Sequence, residues 1–197
     1  MTDVALPFEA ILEPNLPIVA PYQRLRDWPD AVLTACAAAE KAAVYRDLRQ
    51  QLAALFAAER NVLANAANLC ALLYWILPDL NWAGFYFLEQ GELVLGPFQG
   101  KVACVRIAIG KGVCGGAALR RQTLIVADVH EFPGHIACDA ATQSEIVVPL
   151  LQGERLWGVL DLDSPKRSRF DAEDAAGLGT CAADFIAASD LAKFFGG

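Results

Sequence analysis

The 197-residue sequence has no run approaching the roughly 18 consecutive apolar residues that a membrane-spanning helix needs. Its hydrophobic content of 55% and mean hydropathy of +0.34 therefore point to a core. Positive charge is scarce. Sixteen Lys and Arg stand against 23 Asp and Glu, a net charge of -7, which excludes a phosphate-backbone partner held by clustered cations. Paired CxxC spacing is missing, and with only His130 and His135 available, zinc ligands would have to be gathered from scattered loops; no resident metal is expected. The first residues, MTDVALPFEAILEPNLP, place acids and prolines where a secretory leader needs a positive start and an unbroken apolar stretch. The even count of six cysteines is thus not the framework of a secreted mini-protein, and a reducing cytoplasm is the expected compartment.

What is present divides the chain. Pro7, Pro14, Pro17, Pro21 and Pro29 punctuate the first thirty residues, which read as an extended arm. An Ala-rich helix follows, with Asp30 as candidate N-cap, and either merges with the next helix or kinks near Lys41. Apolar residues at three- and four-residue steps from Leu48 to Leu77 predict an amphipathic helix over 46–77, ended by Pro78, with a candidate break near Asn61. A second helix opens at Asp171, with Asp174 three residues on as a weak capping box. Between them lie predicted strands at 81–89, 92–98, 102–109, 123–128, 145–151 and 155–163. Turn residues between the first pair and the last pair make them antiparallel hairpins. Helices outside and a largely antiparallel sheet between give an α+β domain, with 1–40 an extension and 41–197 the domain.

Alternation in GVLDLDSP puts Val159, Asp161 and Asp163 on one face of the last strand and Leu160 and Leu162 on the other. Two carboxylates sharing a face raise each other's pKa unless a cation offsets them, so they suit an ammonium or a metal; a solvated strand end is the plainer alternative. Glu145 opens the doubly apolar strand EIVVPLL and needs a partner unless that end is exposed. In NWAGFYF, Trp82, Gly84 and Tyr86 share a face. Two aromatics flanking a residue without a side chain suggest a slot for a small cation or a thioether, or else ordinary core packing around a glycine.

Cys36, Cys70 and Cys181 lie in Ala- or Leu-rich helices and read as inert core thiols. Cys104 falls in a predicted strand, Cys114 in the glycine turn GKGVCGGA, and Cys138 in a segment of loop character, where reactive groups meet substrates. GKGVCGG lacks the spacing of a nucleotide-binding loop. His130 and His135 either assist a thiolate or hold the loop in place.

Taken together, ERNVLANAANLCALLY, LPDLNWAGFYFL, LVLGPFQGKVACVRI, GKGVCGGA, VADVHEFPGHIACDAATQSEIVVPL and GVLDLDSP resemble the free methionine-(R)-sulfoxide reductases, a family built on a GAF domain, over about Val44 to Phe185. Asp128 to Pro149 carries the most specific stretch; Thr142 and Gln143 depart from its commoner spelling, and the first forty residues have no counterpart. The resemblance implies a six-stranded GAF sheet flanked by helices, a homodimer, and a closed pocket for one free amino acid. It implies Cys138 as the catalytic cysteine, Cys104 as the resolving one and Cys114 as a further redox cysteine. Trp82 and Tyr86 would surround the substrate methyl group, and Glu145, Asp161 and Asp163 would be the pocket carboxylates. Thioredoxin is the implied external reductant, with no bound cofactor. A non-catalytic GAF sensor of a small ligand, and a peroxide- or metal-sensing thiol protein, are the rival readings.

Overall fold

The computed structural model describes residues 37–136 and 139–196. The proline-rich arm, the candidate cap Asp30, Cys36 and Cys138 lie outside the described residues. Helix α1 (Ala37–Phe56) runs unbroken past Lys41, so the Ala-rich segment merges with the amphipathic one. A break separates it from α2 (Val62–Ile76), where Asn61 accepts from the Leu63 and Ala64 N–H groups as a true N-cap.

Six strands follow: β1 (Trp82–Glu89), β2 (Glu92–Gly100), β3 (Arg106–Ala108), β4 (Leu124–Val126), β5 (Ser144–Gln152) and β6 (Arg155–Ser164). They form one sheet in the order β3-β2-β1-β6-β5-β4, every neighbouring pair antiparallel. In the β1–β2 hairpin, Gln90 and Gly91 both take left-handed φ angles, 52° and 88°, as a tight turn matching the strand twist requires. Helix α3 (Gly112–Arg120) lies between β3 and β4, and α4 (Ala172–Ala188) and α5 (Leu191–Phe194) close the chain.

Alternation along the central strands sorts side chains onto two faces. Phe85, Phe87, Ile146, Val148, Leu150, Leu160 and Leu162 point to the face covered by α1, α2 and α4, where they meet Leu48, Leu52, Leu69, Leu73, Leu178 and Phe185. Each such fully buried side chain stabilises the fold by about 1.5–3 kcal/mol. Cys70 and Cys181 are completely buried in this layer, and burial pushes the Cys181 thiol up to about 12, so both are inert as expected.

Asp171 and Asp174 form the capping box of α4. Asp174 does more than cap. Almost wholly buried, it accepts from Lys41 at 2.6 Å, Tyr45 Oη at 2.9 Å and Arg169 at 3.2 Å, and so ties α1 to α4. Gly177 permits that docking, since a Cβ there would lie 2.2 Å from the Tyr45 ring. No helix among the described residues is long and apolar enough to cross a membrane.

Candidate active site

The other face of the sheet carries α3 and the connecting loops, and here the polar residues gather. Register places Trp82 opposite Asp163 and Gly84 opposite Asp161 across β1–β6, and Glu145 opposite Asp163 across β5–β6. The three carboxyls are therefore neighbours on adjacent strands. Together with Trp82, Tyr86, His135 and Cys114 they line a cavity containing about 560 Å³ free of protein atoms, its open mouth included.

Glu145 and Asp161 are each 6% exposed. Burial, reinforced by the Asp163 charge, holds the Glu145 carboxyl well above the ordinary range, and burial with the Glu145 charge does the same for Asp161. Asp163 is raised by burial and by Asp161. The Cys114 thiol, 3.9 Å from Glu145 Oε1, is pushed up by burial and then by Asp161 and Glu145. His135 Nε2 stands 3.6 Å from Glu145 Oε2, but desolvation lowers the imidazole pKa. With the acid raised and the base lowered, both shifts disfavour an ion pair at this contact. Asp161 Oδ1 is buried with no hydrogen-bond partner among the described residues. Carboxyls crowded in this way without a cationic partner among the described residues favour the entry of a cation.

The aromatic slot is not where alternation suggested. A Cβ on Gly84 would lie 2.4 Å from Trp82 Cη2, so the indole itself fills the space above the glycine. Trp82 stacks between Tyr86 and Phe98, with ring centroids at 5.8 and 5.4 Å. The polar tips of both aromatics reach the β2–β3 connection: Trp82 Nε1 donates to the Lys101 carbonyl at 3.1 Å, and Tyr86 Oη to the Cys104 carbonyl at 3.0 Å.

Those two bonds bear on a second correction. Residues 101–105 are not a strand; β3 covers only Arg106–Ala108, and Cys104 lies in the loop that the aromatics hold. A third concerns Cys114, which sits in the first turn of α3 and not in a glycine loop. Helix and sheet come so close here that a Cβ on Gly115 would be 2.4 Å from the Ala108 carbonyl oxygen.

The model of the GAF domain matches residues 40–189. The free methionine-R-sulfoxide reductase of Escherichia coli (strain K12) is 53% identical over 158 residues, which are 79% of this chain and 96% of that protein. Among solved structures, the free methionine-R-sulfoxide reductase of Neisseria meningitidis in complex with its substrate superposes with a TM-score of 0.74 at 42% identity, covering 78% of this chain and 93% of that one. The reduced form of fRMsr of Staphylococcus aureus gives 0.71 at 50% identity, covering 73% and 94%. The chain belongs to the free methionine-R-sulfoxide reductase family.

In this family member the structure brings Trp82, Tyr86, Cys114, Glu145, Asp161 and Asp163 to one cavity. Cys104 is not among the lining residues; it directly follows Val102 and Ala103, which are. Cys138 is outside the described residues, but Ile136 and Asp139, which bracket its segment, both line the cavity. Asp139 is fixed by the Ala141 N–H at 3.0 Å, Lys101 Nζ at 3.1 Å and Asn81 Nδ2 at 3.3 Å, and the first two hold its carboxyl below the usual range. Asn81 also donates to Thr142 at 2.9 Å. Sequence reasoning assigned nothing to Asn81 or Lys101. Both stand inside the segments that carry the family resemblance, LPDLNWAGFYFL and LVLGPFQGKVACVRI, and that is the one signal by which they were findable.

Proposed function

We propose that the protein reduces free L-methionine (R)-sulfoxide to L-methionine. The observation carrying this reading is the trio of buried Glu145 and Asp161 with half-buried Asp163, which has no Lys or Arg partner among the described residues and keeps the Asp161 Oδ1 acceptor without a bond. An α-ammonium supplies the missing positive charge, and methionine within a polypeptide has none. The N-terminal turn of α3, with Lys111 and Gly112 on the cavity wall, offers positive helix-dipole potential to the substrate carboxylate. The methyl group would rest against Trp82 and Tyr86, which sets the preferred epimer.

The chemistry is a two-electron transfer. The Cys138 thiolate attacks the sulfoxide sulfur and forms an S–S bond as one of the raised carboxyls protonates the oxygen; the hydroxyl then transfers to the Cys138 sulfur as the S–O and S–S bonds break, so that methionine leaves and Cys138 becomes a sulfenic acid. The Cys104 thiol then attacks the sulfenic sulfur, a disulfide forms and water departs, with Cys114 as a further exchange partner. A thioredoxin dithiol returns the disulfide to two thiols through a mixed disulfide. We further propose a cytoplasmic homodimer, with residues 1–40 an extension to a domain spanning 41–197.

The test is NADPH loss in the presence of thioredoxin, thioredoxin reductase and each epimer of free methionine sulfoxide separately. Turnover of the R epimer alone is expected, nearly abolished in Cys138→Ser and strongly reduced in Cys104→Ser. Equal rates for both epimers, or full activity in Cys138→Ser, would remove the assignment in favour of a ligand or redox sensor.

A further inference from the structure

The donor set of the cavity is richer than an ammonium requires. Cys114 Sγ and one carboxylate oxygen each from Glu145 and Asp161 lie within 4.8 Å of one another, all three residues buried. His135 Nε2, 3.6 Å from Glu145 Oε2, adds an imidazole nitrogen. The Asp161 carboxyl hydrogen-bonds within the cluster, to Cys114 and Glu145, yet its Oδ1 is buried without a hydrogen-bond partner among the described residues. A thiol, two carboxyls and an imidazole are the ligand kinds that tetrahedral Zn²⁺ takes, whereas Mg²⁺ and Ca²⁺ prefer oxygen alone.

We propose that the substrate-free pocket binds one Zn²⁺ ion through Cys114, Glu145 and Asp161, with the fourth position left to water or to the neighbouring His135, and that the ion excludes substrate as a reversible inhibitor. Metal–donor distances of about 2.0–2.3 Å put tetrahedral ligands about 3.3–3.8 Å apart, so the Cys114, Glu145 and Asp161 donors must draw together by about 1 Å on binding. Of the two lysines on the wall, Lys101 and Lys111, Lys101 is engaged with Asp139, and neither pairs with Cys114, Glu145 or Asp161 among the described residues. Binding is an exchange without electron transfer: the Cys114 S–H bond breaks, a Zn–S bond forms, and the proton passes to solvent, as do those held on the ligating carboxyls.

The binding claim is independent of the proposed activity; the exclusion of substrate rests on it. Fully reduced full-length protein is titrated with Zn²⁺ by calorimetry and with Co²⁺ by absorption spectroscopy. One site per chain is expected, with a sulfur-to-cobalt charge-transfer band that disappears in Cys114→Ser. Zinc affinity should fall at least tenfold in the near-isosteric Asp161→Asn and stay unchanged in Cys104→Ser and Cys138→Ser. Methionine (R)-sulfoxide added in excess should displace the ion. Absence of the charge-transfer band, or binding that follows Cys104 or Cys138 in place of Cys114, overturns the site. Tight zinc binding that methionine sulfoxide does not displace overturns the competition alone, and bears on the substrate assignment without touching the metal site.

Discussion

Tyr86, buried in the middle of β1, reaches across the sheet edge to donate from its hydroxyl to the carbonyl of Cys104 at 3.0 Å. A cavity-lining aromatic thereby holds the loop that carries the proposed resolving cysteine. Tyr86→Phe keeps the ring and removes the donor, leaving a carbonyl to find another partner; the stability cost is about 1 kcal/mol. The sharper effect is kinetic. In a single turnover with methionine (R)-sulfoxide, methionine should form at close to the native rate while disulfide formation lags, so that a dimedone adduct of Cys138 accumulates. Native rates for both steps would show that the bond does not position Cys104.

How far the residues alone foretell this arrangement depends on how local its causes are. The Asn61 break and the Asp171–Asp174 capping box are interactions within a few residues, and both are legible. Alternation in β6 correctly separates Asp161 and Asp163 from Leu160 and Leu162, because a sheet covered on both faces preserves the period of two. The failures have non-local causes. VACVRIAI alternates like a strand, yet its first half is held by Trp82 and Tyr86 from another strand. GKGVCGGA reads as a loop because four glycines between 110 and 116 depress helix propensity, while its helix depends on a close approach to Ala108 that only glycine tolerates. The slot over Gly84 fails for a similar reason, since no periodicity indicates into which space a large ring folds.

Stability should depend on pH through the three cavity carboxyls. Their folded pKa values are raised, chiefly by burial, above the unfolded values of about 4, so between the two the folded chain binds more protons than the unfolded one. Stability contributed this way is complete below the unfolded pKa and falls as pH rises through the folded values. Glu145→Gln removes one such group. Thermal melts of the substrate-free protein from pH 5 to pH 8 should show a shallower decline for the variant, and at pH 8 the variant should exceed the native protein by about 1–2 kcal/mol, a shift of a few degrees. Parallel curves would mean that Glu145 ionises without penalty.

Lys101 and Asp139 form the fixed charge pair closest in sequence to Cys138. An adjacent carboxylate raises a thiol pKa, and the Lys101 ammonium at 3.1 Å offsets that influence. Lys101→Met should therefore slow iodoacetamide alkylation of Cys138 at pH 7 by about two- to fivefold, and Asp139→Asn in the same background should restore the rate. Peptide mapping by mass spectrometry assigns the modified cysteine. A Lys101→Met protein that reacts as fast as the native one would place the thiol outside the reach of this pair.

Gly84 offers the most direct check on how the aromatic wall is built. A methyl group there would lie 2.4 Å from Trp82 Cη2 and 2.5 Å from Phe98 Cβ, and the second of these sits on backbone that cannot swing away. Gly84→Ala should cost about 1–3 kcal/mol by overpacking and raise the KM for methionine (R)-sulfoxide, because the indole must turn into the cavity. If the indole is the obstacle, shortening it should relieve the strain: Gly84→Ala in a Trp82→Leu background should cost less than Gly84→Ala alone, with a coupling of about 1 kcal/mol in a double-mutant cycle read from denaturant melts. Strict additivity would place the clash on Phe98 instead, and would leave Trp82 free to move with bound substrate.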